Sequence, residues 1–314
     1  MSYPVDLNPR GLSTMFFRSA LLAAALAAAP LTAFAQFSSD PIPVFNGEVG
    51  PGAWLRIRNN NGRIEVREAT GRNVTVTAVK RLDDEIRDDV KFDVVRDGGN
   101  VTVCAIWPRT VRCDASGYDY DSDRWGRGER RTGRVDFTVL LPRGVRLIAA
   151  TGNGVVTVRD AGADVEASSG NGEVSVLGAG GRVRASSGNG DIEVDRAQGD
   201  VHASTGNGSI RVATANGPVT ASTGNGRIRV DMRTITNPAD MNFSTGNGSI
   251  TVRFPSDLSA DIEASVPFRN FSTDFPIKME SGWGGHRVEG RIGNGGPRIH
   301  FSTGNGSVSI EKSS

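Results

Sequence analysis

The sequence predicts an all-β protein: a right-handed parallel β-solenoid (β-helix) with 18-residue rungs, a β-rich N-terminal cap carrying an insertion, and an aromatic C-terminal cap. Three observations predict it. A Ser/Thr-Gly-Asn-Gly unit returns every 18 residues, at Asn153, Asn171, Asn189, Asn207 and Asn225, with further copies at Asn247 and Asn305 after insertions. Aligned on these asparagines, the apolar residues fall into columns. Glycine is in excess, 40 of 314 residues, and a turn recurring in every repeat accounts for it. A short fixed period signals stacked units, none of which can bury its apolar face alone.

Taken in chain order, residues 1–35 read as an export signal. Arg18 is the basic flank, Ser19 to Ala29 is almost wholly Ala and Leu, and Ala33-Phe34-Ala35 forms a cleavage site before Gln36. That run is too short for a membrane span, which needs ~20 apolar residues, and no later run is long enough. The mature chain is therefore expected without a transmembrane anchor, periplasmic or secreted. Either Met1 or Met15 serves as the start. Residues 36–148 are expected to hold a first rung and a β-rich cap. Leu55-Arg56-Ile57-Arg58-Asn59-Asn60-Asn61-Gly62-Arg63-Ile64-Glu65-Val66 matches the repeat template, Phe92–Val95 and Val101–Val103 flank the hairpin signal Asp97-Gly98-Gly99-Asn100, and Arg134–Leu141 reads as a strand.

Residues 149–314 carry the regular coil. Three residues after each asparagine come Val156, Val174, Ile192, Ile210, Ile228 and Ile250; five after come Val158, Val176, Val194, Val212, Val230 and Val252. Twelve and fourteen after come Val165 and Ala167, then Val183 and Ala185, Val201 and Ala203, and Val219 and Ala221, with Met241 and Phe243 in their places in the longer repeat. Spacing by two marks strands with one buried face. Each rung thus holds two short strands, with a second corner at Ala161, Ala179, Ala197 and Ala215. Outward positions alternate in sign between rungs, as in Asp164, Arg182 and Asp200, or Glu193 and Arg211, which reads as a solvated, ion-paired surface. Phe254, Phe268, Phe271, Phe275 and Trp283 supply an aromatic end cap, and a last template copy runs from Ile299 to Ile310. Open ends would expose unpaired strand edges, so caps are required.

These units, with Gly290-Arg291-Ile292-Gly293-Asn294-Gly295 and Phe301-Ser302-Thr303-Gly304-Asn305-Gly306, resemble the bacterial putative-adhesin family of β-strand-repeat proteins, a family of unknown function. The resemblance runs from about Trp54 to the C-terminus, interrupted by the cysteine-containing insertion. It implies a solenoid of the cell envelope and carries no catalytic residues over.

The asparagine column reads as an amide ladder, each side chain bonding its equivalents above and below. A flat ice-type face is disfavoured because the Thr column is irregular, with Ser169 and Ser187 replacing Thr. Cys104 and Cys113, close together in an exported chain, predict a disulfide. Trp107, Tyr118, Tyr120, Arg124, Trp125, Arg127, Arg130 and Arg131 form the candidate binding patch. Arginine gives charge-assisted hydrogen bonds and aromatic rings stack on sugars, so an anionic envelope polysaccharide fits, or another surface protein. Asp119-Tyr120-Asp121-Ser122-Asp123 starts like a calcium loop, but the sixth position is Arg124 where Gly is needed and the twelfth is Arg130 where Glu is needed. Asp191, Glu193 and Asp195 are the nearest thing to an acid cluster, and Arg211 and Arg229 lie above Glu193. His202, His286 and His300 have no nucleophile or metal partner in the pattern. A formal net charge of +1 gives no basis for nucleic-acid binding. The expectation is a non-enzymatic adhesin-like or structural binding module without a cofactor. A polysaccharide-active β-helix enzyme and an envelope-stress accessory protein stand as alternatives.

Overall fold

The structure is a computed structural model that describes residues 40–82, 89–108, 110–120, 133–213, 216–266, 270–279 and 287–313. Residues 39–314 form one compact unit. The strands before the regular repeat are β1 (Ile42–Glu48), β2 (Trp54–Asn61), β3 (Ile64–Glu68), β4 (Asn73–Leu82), β5 (Lys91–Asp97), β6 (Asn100–Ile106), β7 (Thr110–Asp114), β8 (Gly117–Tyr120) and β9 (Gly133–Leu141). The repeat follows as β10 (Arg146–Asn153), β11 (Val156–Ala161), β12 (Val165–Asn171), β13 (Val174–Ala179), β14 (Val183–Asn189), β15 (Ile192–Ala197), β16 (Val201–Asn207), β17 (Ile210–Ala213), β18 (Val219–Asn225), β19 (Ile228–Asp231), β20 (Met241–Asn247) and β21 (Ile250–Phe254). The chain closes with β22 (Ala260–Ser265), β23 (Phe271–Thr273), β24 (Ile277–Met279), β25 (Arg287–Ile292), β26 (Arg298–Asn305) and β27 (Val308–Lys312).

Each rung gives one strand to each of two long sheets. Sheet 1 has 12 strands in the order β1-β4-β9-β3-β11-β13-β15-β17-β19-β21-β27-β23. Sheet 2 has 13, in the order β24-β25-β22-β26-β20-β18-β16-β14-β12-β10-β2-β6-β5. Within the repeat every pairing is parallel and in register: Val174 pairs with Ile192, Val176 with Val194, Val183 with Val201 and Ala185 with Ala203. The parallel β-solenoid read from the 18-residue period is the fold.

The alternating pattern explains the register. Val156, Val158, Val174, Val176, Val183, Val194, Val201, Val219 and Val230 are fully buried, and a one-residue slip in any strand would turn such a pair to solvent. Each buried Val or Ile contributes roughly 1.5–3 kcal/mol, whereas an exposed ion pair contributes about 0–1 kcal/mol. The columns therefore set the stack and the outer charges decorate it. Arg182 and Asp200 approach to 3.9 Å, and Glu193 and Arg211 to 3.6 Å, all largely exposed.

The turn glycines are fixed by the stack as well as by the turn. Gly208 has φ +151°, and a Cβ there would fall on the carbonyl oxygen of Gly190 one rung below. At the second corner Asp160 and Arg196 adopt φ of 53° and 55°. Gly178 lies between them, and Arg196 Nη1 reaches across it to Asp160 Oδ1 at 3.2 Å. A Cβ on Gly178 would approach that same oxygen to 2.7 Å. The corner residues Ala161, Ala179 and Ala197 are buried; Ala215 lies outside the described residues.

Chain order departs from spatial order at both ends. The first rung, β2–β3, stacks on β10–β11, and β6 and β9 cover its other side in parallel. The antiparallel strands β5, β4 and β1 then close that end. The last rung, β26–β27, stacks directly on β20–β21, and β22 and β23 lie outside it. The template copy at the chain terminus is thus an interior rung, and the segment before it forms the cap. Phe254 and Phe275 are buried and Phe271 packs against the core. Phe268 and Trp283 lie outside the described residues. Phe243 and Phe301 stack at 5.3 Å where the alanine column ends.

Candidate functional site

The repeat produces three polar columns along the Gly-Asn-Gly edge. The outermost is an amide ladder. Asn153 Nδ2 donates to Asn61 Oδ1, Asn171 to Asn153, Asn189 to Asn171, Asn207 to Asn189, Asn225 to Asn207, Asn247 to Asn225 and Asn305 to Asn247, each at 2.7–2.8 Å. Just inside it runs a hydroxyl column. Thr151, Ser169, Ser187, Thr205, Thr223, Thr245 and Thr303 are buried, and each donates to the carbonyl of a turn glycine one rung below, at 2.8–3.0 Å. The Ser/Thr exchange is irregular only in its methyl group. The hydroxyl is the constant: buried itself, it finds its partner in the turn-glycine carbonyl. The invariance of hydroxyl at that alternate position was the available signal.

The third column is the outer face of sheet 2, where side chains are short. Ser168, Ser186, Ser204 and Ser222 project outward in a file, one per rung, ~4.8 Å apart. Beside them run Ile148, Glu166, Arg184, His202 and Thr220. Together with Arg58 these residues line a shallow groove of about 450 Å³. Two cations, one carboxylate and a file of hydroxyls make it a polar surface able to hydrogen-bond an extended ligand.

The insertion sits at one end of this face. Cys104 lies on β6 opposite Arg58 of β2, and it forms a disulfide with Cys113 of β7. The bond ties the antiparallel β7–β8 hairpin to the outer face. Arg58 Nη2 donates to Ala115 O at 2.8 Å, and Tyr118 Oη lies 2.6 Å from Arg58 O and 2.8 Å from Ala105 O, its one O–H shared between the two carbonyls. Among the described residues, none accepts a hydrogen bond from the buried Arg58 Nε. Burial, and then the neighbouring Arg56, holds the Arg58 guanidinium below the usual arginine range. Asp114 is held below the usual carboxylate range by hydrogen bonds from the Ser116 hydroxyl and amide.

The expected aromatic patch is only partly where the sequence suggested. Trp107 is 8% exposed and belongs to the core, and Tyr118 is half-buried with its hydroxyl held by backbone carbonyls. Trp107 follows β6 into the core, and Tyr118 on β8 fixes the hairpin to β2 and β6 through the Arg58 and Ala105 carbonyls. Tyr120 ends β8. Arg124, Trp125, Arg127, Arg130 and Arg131 lie outside the described residues, as does the calcium-like run beyond Tyr120. Arg184 and His202 hold one repeat position and Ser168 the position two residues on, whereas Arg58 reaches them only because β2 stacks on β10.

The acidic trio on sheet 1 is dispersed into local contacts. Asp191 Oδ1 accepts the Ser209 N–H at 2.7 Å, Glu193 faces Arg211, and Asp195 Oδ2 lies 3.9 Å from Arg196 Nε. His300 Nδ1 lies 3.9 Å from Glu263. Among the described residues, no group of three or more His, Cys, Asp or Glu side chains is placed to hold a metal, and no helix is long and apolar enough to cross a membrane.

No curated protein matches the chain. Among solved structures, a putative cell adhesion protein from Clostridium sporogenes ATCC 15579 is 10% identical, covering 87% of this chain and 100% of its own, at a TM-score of 0.26. A putative adhesin from Bacteroides fragilis NCTC 9343 is 12% identical, covering 88% and 98%, at 0.41. The family described as Toastrack DUF4097 matches residues 54–311, which include the first rung, the insertion, the whole repeat and nearly all of the final rung. The chain belongs to the Toastrack DUF4097 family.

Proposed function

We propose that this protein is an exported, non-enzymatic binding module of the bacterial envelope, and that its ligand is an extended acidic polysaccharide. The single observation behind this reading is the groove on the outer face of sheet 2. It combines a file of serine hydroxyls at rung spacing with the guanidinium groups of Arg58 and Arg184. Hydroxyls exchange hydrogen bonds with sugar hydroxyls, and guanidinium binds carboxylate through charge-assisted bonds. The Cys104–Cys113 disulfide fits an oxidising compartment, in agreement with the leader-like residues 1–35. The arginine-rich run 124–131 follows the β7–β8 hairpin in the sequence, and we assign it to the same contact.

The test is binding of the purified full chain to immobilised acidic and neutral glycans at low and high salt, with hydrolysis products measured in parallel. Salt-sensitive binding to acidic glycans without hydrolysis is expected. Arg184→Ser, and separately the replacement of Arg124, Arg127, Arg130 and Arg131 by Ser, should each weaken binding while the far-ultraviolet spectrum stays unchanged. No acidic-glycan binding at low salt, undiminished binding by both variants, or release of oligosaccharides would each defeat the proposal.

A further inference from the structure

We propose that Asn305 is a self-modification site: the one asparagine of the ladder open to succinimide formation through Gly306. Every ladder asparagine precedes a glycine. Such a pair can react when the glycine nitrogen attacks the asparagine side-chain carbonyl carbon. The nitrogen loses its proton, a bond forms from it to Cγ, the Cγ–Nδ2 bond breaks, and ammonia carries the proton away. Water then opens the five-membered ring at either carbonyl and leaves aspartate or isoaspartate. No reactant beyond solvent water is needed.

The stack withholds that nitrogen in all rungs but the last. The N–H of Gly62 donates to Asn153 O, Gly154 to Asn171 O, Gly172 to Asn189 O, Gly190 to Asn207 O, Gly208 to Asn225 O, Gly226 to Asn247 O and Gly248 to Asn305 O, all at 2.7–2.9 Å. Each bond points towards the β26–β27 end of the stack, so only the terminal turn lacks an acceptor from a further Gly-Asn-Gly unit. Among the described residues, none accepts the N–H of Gly306. The cap replaces only half of the missing rung: Asn270 Nδ2 donates to Gly306 O at 2.9 Å, where interior turns receive a Ser or Thr hydroxyl. Asn305 itself is exposed, so water and a departing ammonia have access.

The product would loosen its own rung. Aspartate at 305 loses the Nδ2–H that Asn305 donates to Asn247 Oδ1. Isoaspartate adds a backbone atom between β26 and β27 and disturbs the pairing of Ile250 with Val308. Asn46, Asn216 and Asn294 also precede glycine but lie off the ladder, in other backbone settings.

The experiment incubates the native full chain at mildly alkaline pH and follows each asparagine by peptide mass spectrometry, with a parallel sample in urea. In the native protein Asn305 is expected to convert at least about tenfold faster than Asn171, Asn189, Asn207 and Asn225. That factor corresponds to about 1.4 kcal/mol, the scale of one hydrogen bond. In urea the five should convert at similar rates, because each is followed by glycine. A native Asn305 rate no higher than that of the interior asparagines would overturn the proposal. So would an equal Asn305 excess in urea, which would assign it to local sequence and not to the open turn.

Discussion

Val212 faces the core between Val194 and Val230, and Arg211 beside it faces solvent opposite Glu193. The two positions separate the forces that hold the stack. Val212→Asp places an unpaired charge in an apolar column and should cost on the order of 4 kcal/mol. Arg211→Ala removes an exposed contact and should cost under about 1 kcal/mol. Urea unfolding of the two variants measures both, and equal losses would reverse the inside and outside assignments.

At the scale of elements, the β7–β8 hairpin is small and rests on one disulfide, the Tyr118 hydroxyl and the Arg58–Ala115 bond. Two strands alone are marginal in water. The nine-residue separation of the cysteines implies a local stabilisation of about 2–3 kcal/mol on the loop-entropy account. Alkylation of native protein without reductant should label neither cysteine. Joint replacement of Cys104 and Cys113 by Ser should speed proteolysis between Trp107 and Tyr120, while the urea midpoint of the rung stack moves little. A large fall in that midpoint would make the hairpin part of the cooperative core.

Over the whole molecule, the stack behaves as near-identical layers with nearest-neighbour contacts, so its length should be adjustable in whole rungs. Deleting residues 192–209 removes one repeat and joins Asp191 to Ile210 in template register. A folded, shorter solenoid is expected. Truncation after Gly296 removes nothing but the chain end in sequence, yet it takes out β26–β27, the rung between the repeat and its cap. That variant should lose cooperative unfolding, as followed by circular dichroism. A truncated chain as stable as the rung deletion would contradict the interior placement of the final rung.

The sequence by itself determined the solenoid, its period, the inward columns from Val156 to Val252, the asparagine edge and the hairpin about Asp97–Asn100. Each of these depends on local alternation or on like residues recurring at one spacing, and both are visible in a linear string. The tertiary structure alone decided which rung neighbours which. Template copies are nearly equivalent as stacking partners, so pattern cannot say whether Ile299–Ile310 lies outside or beneath Ala260–Ser265. That choice follows from which segment can cover an open sheet edge. The tertiary structure also drew Trp107 into the core and Tyr118 onto the Arg58 and Ala105 carbonyls, because the β7–β8 hairpin folds back over β2 and β6. It brought Arg58 beside the Arg184–His202 column, since the stacking of β2 on β10 across the long intervening segment follows no fixed period.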